Sequence, residues 1–143
     1  MKLCCFSDLH YSGYREWLRE LLENTIAGTC SKCDVAIIVG DVTGIGNLDH
    51  LREALELIKE YFDPLPLLIV PGNHDLYVSY EEQAKGINSL LKLSMFNELV
   101  EKLGYIALMK RPYVFANVVF VGSIGWYDYS FAPDYLNLPL DEL

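Results

Sequence analysis

Three short stretches of the chain carry side chains that bind cations or move protons: Asp8-Leu9-His10, Gly40-Asp41 and Gly72-Asn73-His74-Asp75. Asp8 and His10 are two residues apart, so at the end of an extended strand both side chains point the same way and can reach one cation. One oxygen and one nitrogen donor suit zinc, iron or manganese better than calcium. The Asp41 carboxylate has two oxygens and can bridge two cations, and Gly40 before it lets the backbone turn tightly. Asn73 offers a neutral amide oxygen, while His74, next in the chain, points elsewhere and is better placed for a substrate than for the same cation. Asp75 could hold one ring nitrogen of His74 and favour its protonated form, which makes His74 a candidate acid for a leaving alkoxide. Singly these patterns are ordinary, since Asp-x-His occurs in solvent-facing loops and Gly-Asp marks many turns. Their order and even spacing, roughly thirty residues from one to the next, match a repeating βα unit.

The elements that must position these residues alternate between strand and helix. Residues 2–7 form a short apolar run that ends at Asp8. An amphipathic stretch over 14–27 follows, with Trp17, Leu18, Leu21, Leu22 and Ile26 at helical spacing and Gly28 as a natural stop. Residues 35–39 and 67–70 are uninterrupted apolar runs, as strands buried on both faces of a parallel sheet require. Between them Asn47 can cap a helix whose Leu51, Leu55, Ile58 and Phe62 form one stripe, ended by Pro64. Ser79 and Glu82 have capping-box spacing, so a helix should start near Tyr80. A further helix is read from Ser94, with Phe96, Leu99, Val100 and Leu103 inward and Gly104 at its end. Residues 113–116 and 118–121 are β-prone runs separated only by Asn117, which predicts a hairpin or a bulged pair. Three βα units followed by consecutive strands imply an α/β fold: a parallel sheet with helices, then a switch to antiparallel structure.

Composition narrows the function classes. The 143 residues are 52% hydrophobic and 22% charged, as in a globular protein, and length alone suggests a single domain over 1–143. A net charge of −9 argues against a surface that grips nucleic acid or anionic lipid. The apolar run at the start is broken by Ser7-Asp8 and is neither a signal-peptide core nor a membrane span, so a cytoplasmic location is the default. Four cysteines suit that default as free thiols. Cys4 and Cys5 are adjacent and should face opposite sides of a strand. Cys30-Ser31-Lys32-Cys33 has C-x-x-C spacing but no second pair to complete a zinc site.

With the three stretches in this order at three strand ends, the chain resembles the calcineurin-like metallophosphoesterases. The resemblance covers residues 1–75 by motif and, more loosely, the hairpin region through Gly125-Trp126. It implies an αββα sandwich, here the first parallel βαβαβ sheet with its helices plus the start of a second, more antiparallel sheet. It also implies two divalent cations, manganese, iron, zinc or similar, at the strand ends. In that family the positions matching Asp8 and His10 bind the first metal, the Asp41 position bridges, and the Asn73 position binds the second. The His74 position contacts the phosphate and helps the leaving group depart. A hydroxide bound at the metals attacks phosphorus in line. Substrates would be phosphoesters, small molecules or phosphoproteins; oligomeric state is left open.

The family completes its centre with a later histidine and a Gly-His-x-His turn. This chain has three histidines, His10, His50 and His74, and none follows His74. His50, in the first turn of the second helix, is read as a surface or structural residue. Three accounts remain: the N-terminal part of a longer hydrolase, a shortened member serving as a binding or regulatory module, or a centre completed by another chain. The first leads, with the centre incomplete within 1–143. Trp126 could line a substrate pocket or close the sheet's end, and the tail from Ser130, with Pro133 and Pro139, reads as a loop.

Overall fold

A computed structural model describes residues 1–28 and 32–125. Its centre is a four-stranded parallel sheet, β1 (Leu3–Phe6), β2 (Val35–Val39), β3 (Leu67–Val70) and β4 (Ile106–Ala107), with the strands side by side in sequence order. Leu3 pairs with Val35, Ala36 with Leu67, and Leu68 with Ile106. Crossovers between parallel strands are almost always right-handed. A sheet whose strands follow sequence order therefore sends every crossover helix to the same side.

Side-chain alternation shows the result. Cys4, Ala36, Ile38, Leu67, Ile69 and Ala107 face the helices and form the main core with Leu18, Leu22, Leu51, Leu55, Ile58, Phe96 and Val100. Val35, Leu68 and Val70, pointing the other way, pack with Leu108, Tyr113, Phe115 and Phe120 in a second cluster. That second cluster is covered by the antiparallel hairpin of β5 (Tyr113–Phe115) and β6 (Val118–Phe120), in which Phe115 pairs with Val118. Ala116 turns it, with φ of 52°. The helix layer, parallel sheet and start of an antiparallel sheet match the metallophosphoesterase-type architecture implied by the sequence.

On the helical side, α1 (Arg15–Leu21) winds into a π-helical turn (Leu22–Ala27), α2 is Leu48–Phe62, α3 is Tyr80–Ala84 and α4 is Ser89–Lys102. The Asn47 carboxamide accepts from the Asp49 and His50 amides and caps α2, as its position implies. All four residues of the α2 stripe are buried. The Ser79 hydroxyl accepts from the Glu82 amide while the Glu82 carboxylate accepts from the Ser79 amide, a complete capping box.

Several readings need correction. The last helix starts at Ser89, capped by the Asn88 carboxamide on the Leu91 amide, rather than at Ser94; its first turn carries the exposed Leu90 and Leu91, so no amphipathic stripe marks it. A fourth parallel strand, β4, stands where only a change of pattern is visible in sequence; two residues are too few for periodicity to register. Trp17 is not core: Leu18 and Leu22, four apart, take the inward positions, and Trp17 is 48% exposed. Cys4 is disulfide-bonded rather than a free thiol, whereas Cys5 and Cys33 are free. The expected alternation holds, with Cys4 buried and Cys5 exposed. Expectations for the side chain of Ile26, for Cys30, for Trp126 and for the tail from Ser130 lie outside the described residues. Among the described residues, no helix is long and apolar enough to cross a membrane.

Candidate metal centre

The loops leaving β1 and β2 stay zipped after their strands end. The Asp8 amide donates to the Gly40 carbonyl at 3.2 Å, the His10 amide to Asp41 at 3.0 Å and the Tyr11 amide to Val42 at 2.8 Å. Tyr11 and Thr43 then form an isolated parallel bridge. The backbone here is not extended. Asp8, His10 and Asp41 have φ of 58°, 45° and 52°, in the left-handed region. Positive φ is uncommon for residues with a Cβ, although Asp and His tolerate it better than most. Asp8 and His10 therefore come together through a turn and not through the side-chain alternation of an extended strand, with His10 Nε2 3.9 Å from Asp8 Oδ1.

The loop after β3 closes on the same point. The His74 amide donates to Asp41 Oδ1 at 2.9 Å, which fixes the Asp41 carboxylate from the β3 side. Two glycines permit the approach: a Cβ on Gly72 would lie 2.1 Å from Asp41 Oδ1, and one on Gly40 would lie 2.7 Å from the Gly72 Cα. Imidazole nitrogens of His10 and His74 and a carboxylate oxygen of Asp41 all lie within 4.8 Å of one another, close enough to share one cation. Two nitrogens and one oxygen suit zinc, iron or manganese.

His74 Nδ1 lies 2.7 Å from the Gly44 carbonyl oxygen. A carbonyl only accepts, so Nδ1 carries the hydrogen and Nε2 is the ring atom left for a cation or a substrate. Edge-on contact with the His10 ring, centroids 4.5 Å apart, sets the ring's orientation. The expected Asp75 contact with the His74 ring is replaced by this carbonyl. Asp75 is buried and accepts instead from the Val42, Thr43 and Gly72 amides and from the Thr43 hydroxyl, at 2.8 to 3.3 Å. Burial pushes its carboxyl above the ordinary value, and those four hydrogen bonds pull against the shift. Asp75 thus ties the loop after β2 to the loop after β3.

Sequence reasoning missed Tyr77. Its hydroxyl accepts from Asn73 Nδ2 at 2.9 Å and its ring packs against that of His74, centroids 4.5 Å apart. With Nδ2 committed, the Asn73 amide oxygen is the atom free for a cation. The signal available was spacing alone, since Tyr77 follows Asn73 by four residues across a single 3-10 turn (His74–Leu76). Of the six residues singled out by chemistry, the structure brings His10, Asp41 and His74 together, with Asp8 beside His10 and Asn73 beside Tyr77. Asp75 lies beneath them.

His50 is not in this group; its ring packs edge-on against Tyr11, centroids 5.9 Å apart, in keeping with a structural role. No curated protein matches the chain. A family model described as calcineurin-like phosphoesterase matches residues 1–140, which spans the three loops, the parallel sheet and the hairpin. Family match, fold and a convergent donor set that fits a divalent cation agree, and the chain belongs to the calcineurin-like phosphoesterases.

Proposed function

We propose that this chain is a metal-dependent phosphoester hydrolase whose cation is held by Asp8, His10 and Asp41, with Asn73 facing a second position. The observation that carries the reading is the convergence of His10, Asp41 and His74 within 4.8 Å on loops from three adjacent strands, which sets two proposed ligands beside the proposed acid, with Asp8 Oδ1 3.9 Å from His10 Nε2. A bound divalent cation supplies charge neutralisation on the phosphoryl oxygens and activation of the attacking water. The remaining work falls to the chain's own groups. Asp41, one oxygen of which accepts from the His74 amide, would keep its other oxygen for the cation. His74, anchored through Nδ1, presents Nε2 to the phosphoester and, when the ring is doubly protonated, can pass the Nε2 proton to the departing oxygen. Asp75 is a positioning residue, holding the two loops that carry Asp41 and His74.

Residues 1–143 hold no histidine after His74, so this stretch assayed by itself is expected to bind one cation well and to turn over slowly. The test is calorimetric titration with manganese, followed by hydrolysis of p-nitrophenyl phosphate and of its bis ester. Saturable binding lost in Asp41→Asn, with slow manganese-dependent turnover lost in the same variant, supports the reading. Tight binding of two cations with rapid turnover overturns the slow single-metal reading. Metal binding with no turnover of either ester favours a binding or regulatory module instead.

A further inference from the structure

A hollow beside His10 takes no part in the chemistry so far. Leu9, His10, Ser12, Tyr14 and Trp17 line a cavity of about 450 Å³, within the size range of small-molecule sites. Of these, Leu9 is almost wholly buried. Tyr14, at the N-cap position of α1, and Trp17, in its first turn, stand 73% and 48% exposed. Single exposed apolar residues are commonplace. Two large exposed rings lining one hollow together with a candidate metal ligand are the kind of patch that marks a binding site. Among the described residues, no Lys, Arg, Asp or Glu lines it, and apart from His10 the polar groups they offer are the Ser12 and Tyr14 hydroxyls and the Trp17 indole N–H.

His10 belongs both to this wall and to the donor set, so whatever fills the hollow lies one side chain away from the phosphoester. We propose that the cavity holds the organic part of the phosphoester, and that this part is a planar, uncharged ring system stacked on Trp17 and Tyr14. The inference rests on the hydrolase reading. Stacking favours a flat group over an aliphatic one of equal size, because ring faces and edges attract beyond simple area burial. An aryl group and a nucleobase share this chemistry.

The experiment is calorimetric titration of the manganese-loaded protein with phenylphosphonate, methylphosphonate and adenosine 5′-monophosphate. Phenylphosphonate is expected to bind about tenfold more tightly than methylphosphonate. Trp17→Ala is expected to abolish that preference, and Trp17→Phe, which keeps a ring, to retain most of it. Trp17 is half-exposed, so neither change opens the core. Adenosine monophosphate binding more tightly than phenylphosphonate assigns the ring to a nucleobase; the reverse assigns it to an aryl ester. Equal affinity for the two phosphonates, a preference untouched by Trp17→Ala, or binding of neither phosphonate overturns the inference. The hydrolase reading fails separately, by absence of phosphoester turnover while a Trp17-dependent ring preference persists in binding.

Discussion

At Gly72 the difference of one methyl group decides whether the centre can assemble. A Cβ there would meet the Asp41 carboxylate at 2.1 Å and push it off the His74 amide. Gly72→Ala should therefore weaken manganese binding and cost about 1–3 kcal/mol of stability, read by calorimetry and by urea unfolding. Asp75→Asn keeps the shape but turns an amide NH₂ toward backbone N–H donors. It should cost about 1–3 kcal/mol in the same unfolding assay, without removing any donor from the cation. Sequence made the donor residues readable: the types and order of Asp8, His10, Asp41, Asn73 and His74 carry their chemistry on their face. It could not show how they meet. Left-handed backbone at Asp8, His10 and Asp41, and the transfer of His74 Nδ1 to a carbonyl, depend on contacts between loops far apart in the chain.

Among the elements, the joint between α3 and α4 rests on one carboxylate. Glu82 closes the capping box of α3 and also meets the ammonium of Lys92, which is almost wholly buried in α4. Ser79→Ala removes a cap and should cost about 1 kcal/mol. Glu82→Ala removes the cap's partner and leaves a buried charge unpaired, so it should cost about 3 kcal/mol or more. Comparing the two urea midpoints checks the order. Burial pushes the Glu82 carboxyl up, but the Lys92 ammonium and the Ser79 amide outweigh it and hold it below its ordinary value of 4.5. A carboxyl depressed in the folded state contributes stability above its unfolded pKa and loses it as pH falls through the folded value. Acid should thus narrow the gap between wild type and Glu82→Ala, as unfolding at neutral pH and at about pH 3 would show. The capping signals at Asn47 and Ser79 were legible because capping is local. The start of α4 was not, because Leu90 and Leu91 look like core residues and are exposed.

For the molecule as a whole, strand order explains the placement of everything else. Helices on one side and the hairpin on the other leave the strand ends as the place where β1, β2 and β3 can present side chains to one point. A cation bound there ties three loops together only in the folded state, so it should raise the unfolding temperature. With free manganese about a hundredfold above its dissociation constant the gain is about 2.7 kcal/mol, or roughly 5 to 10 °C for a chain of this length. A chelator should reverse the shift, and Asp41→Asn should not show it. The alternation of apolar runs made the parallel sheet legible; the two-residue β4 and the outward turn of Trp17 required the packed structure.

The left-handed backbone at Asp8, His10 and Asp41 bears on the proposed use of these residues as well as on geometry. Each position carries a conformational penalty of about 1 kcal/mol that glycine would not incur. Backbone geometry alone would be met by glycine at all three sites. Two carboxylates and an imidazole there accord instead with the proposed use of these side chains at a cation.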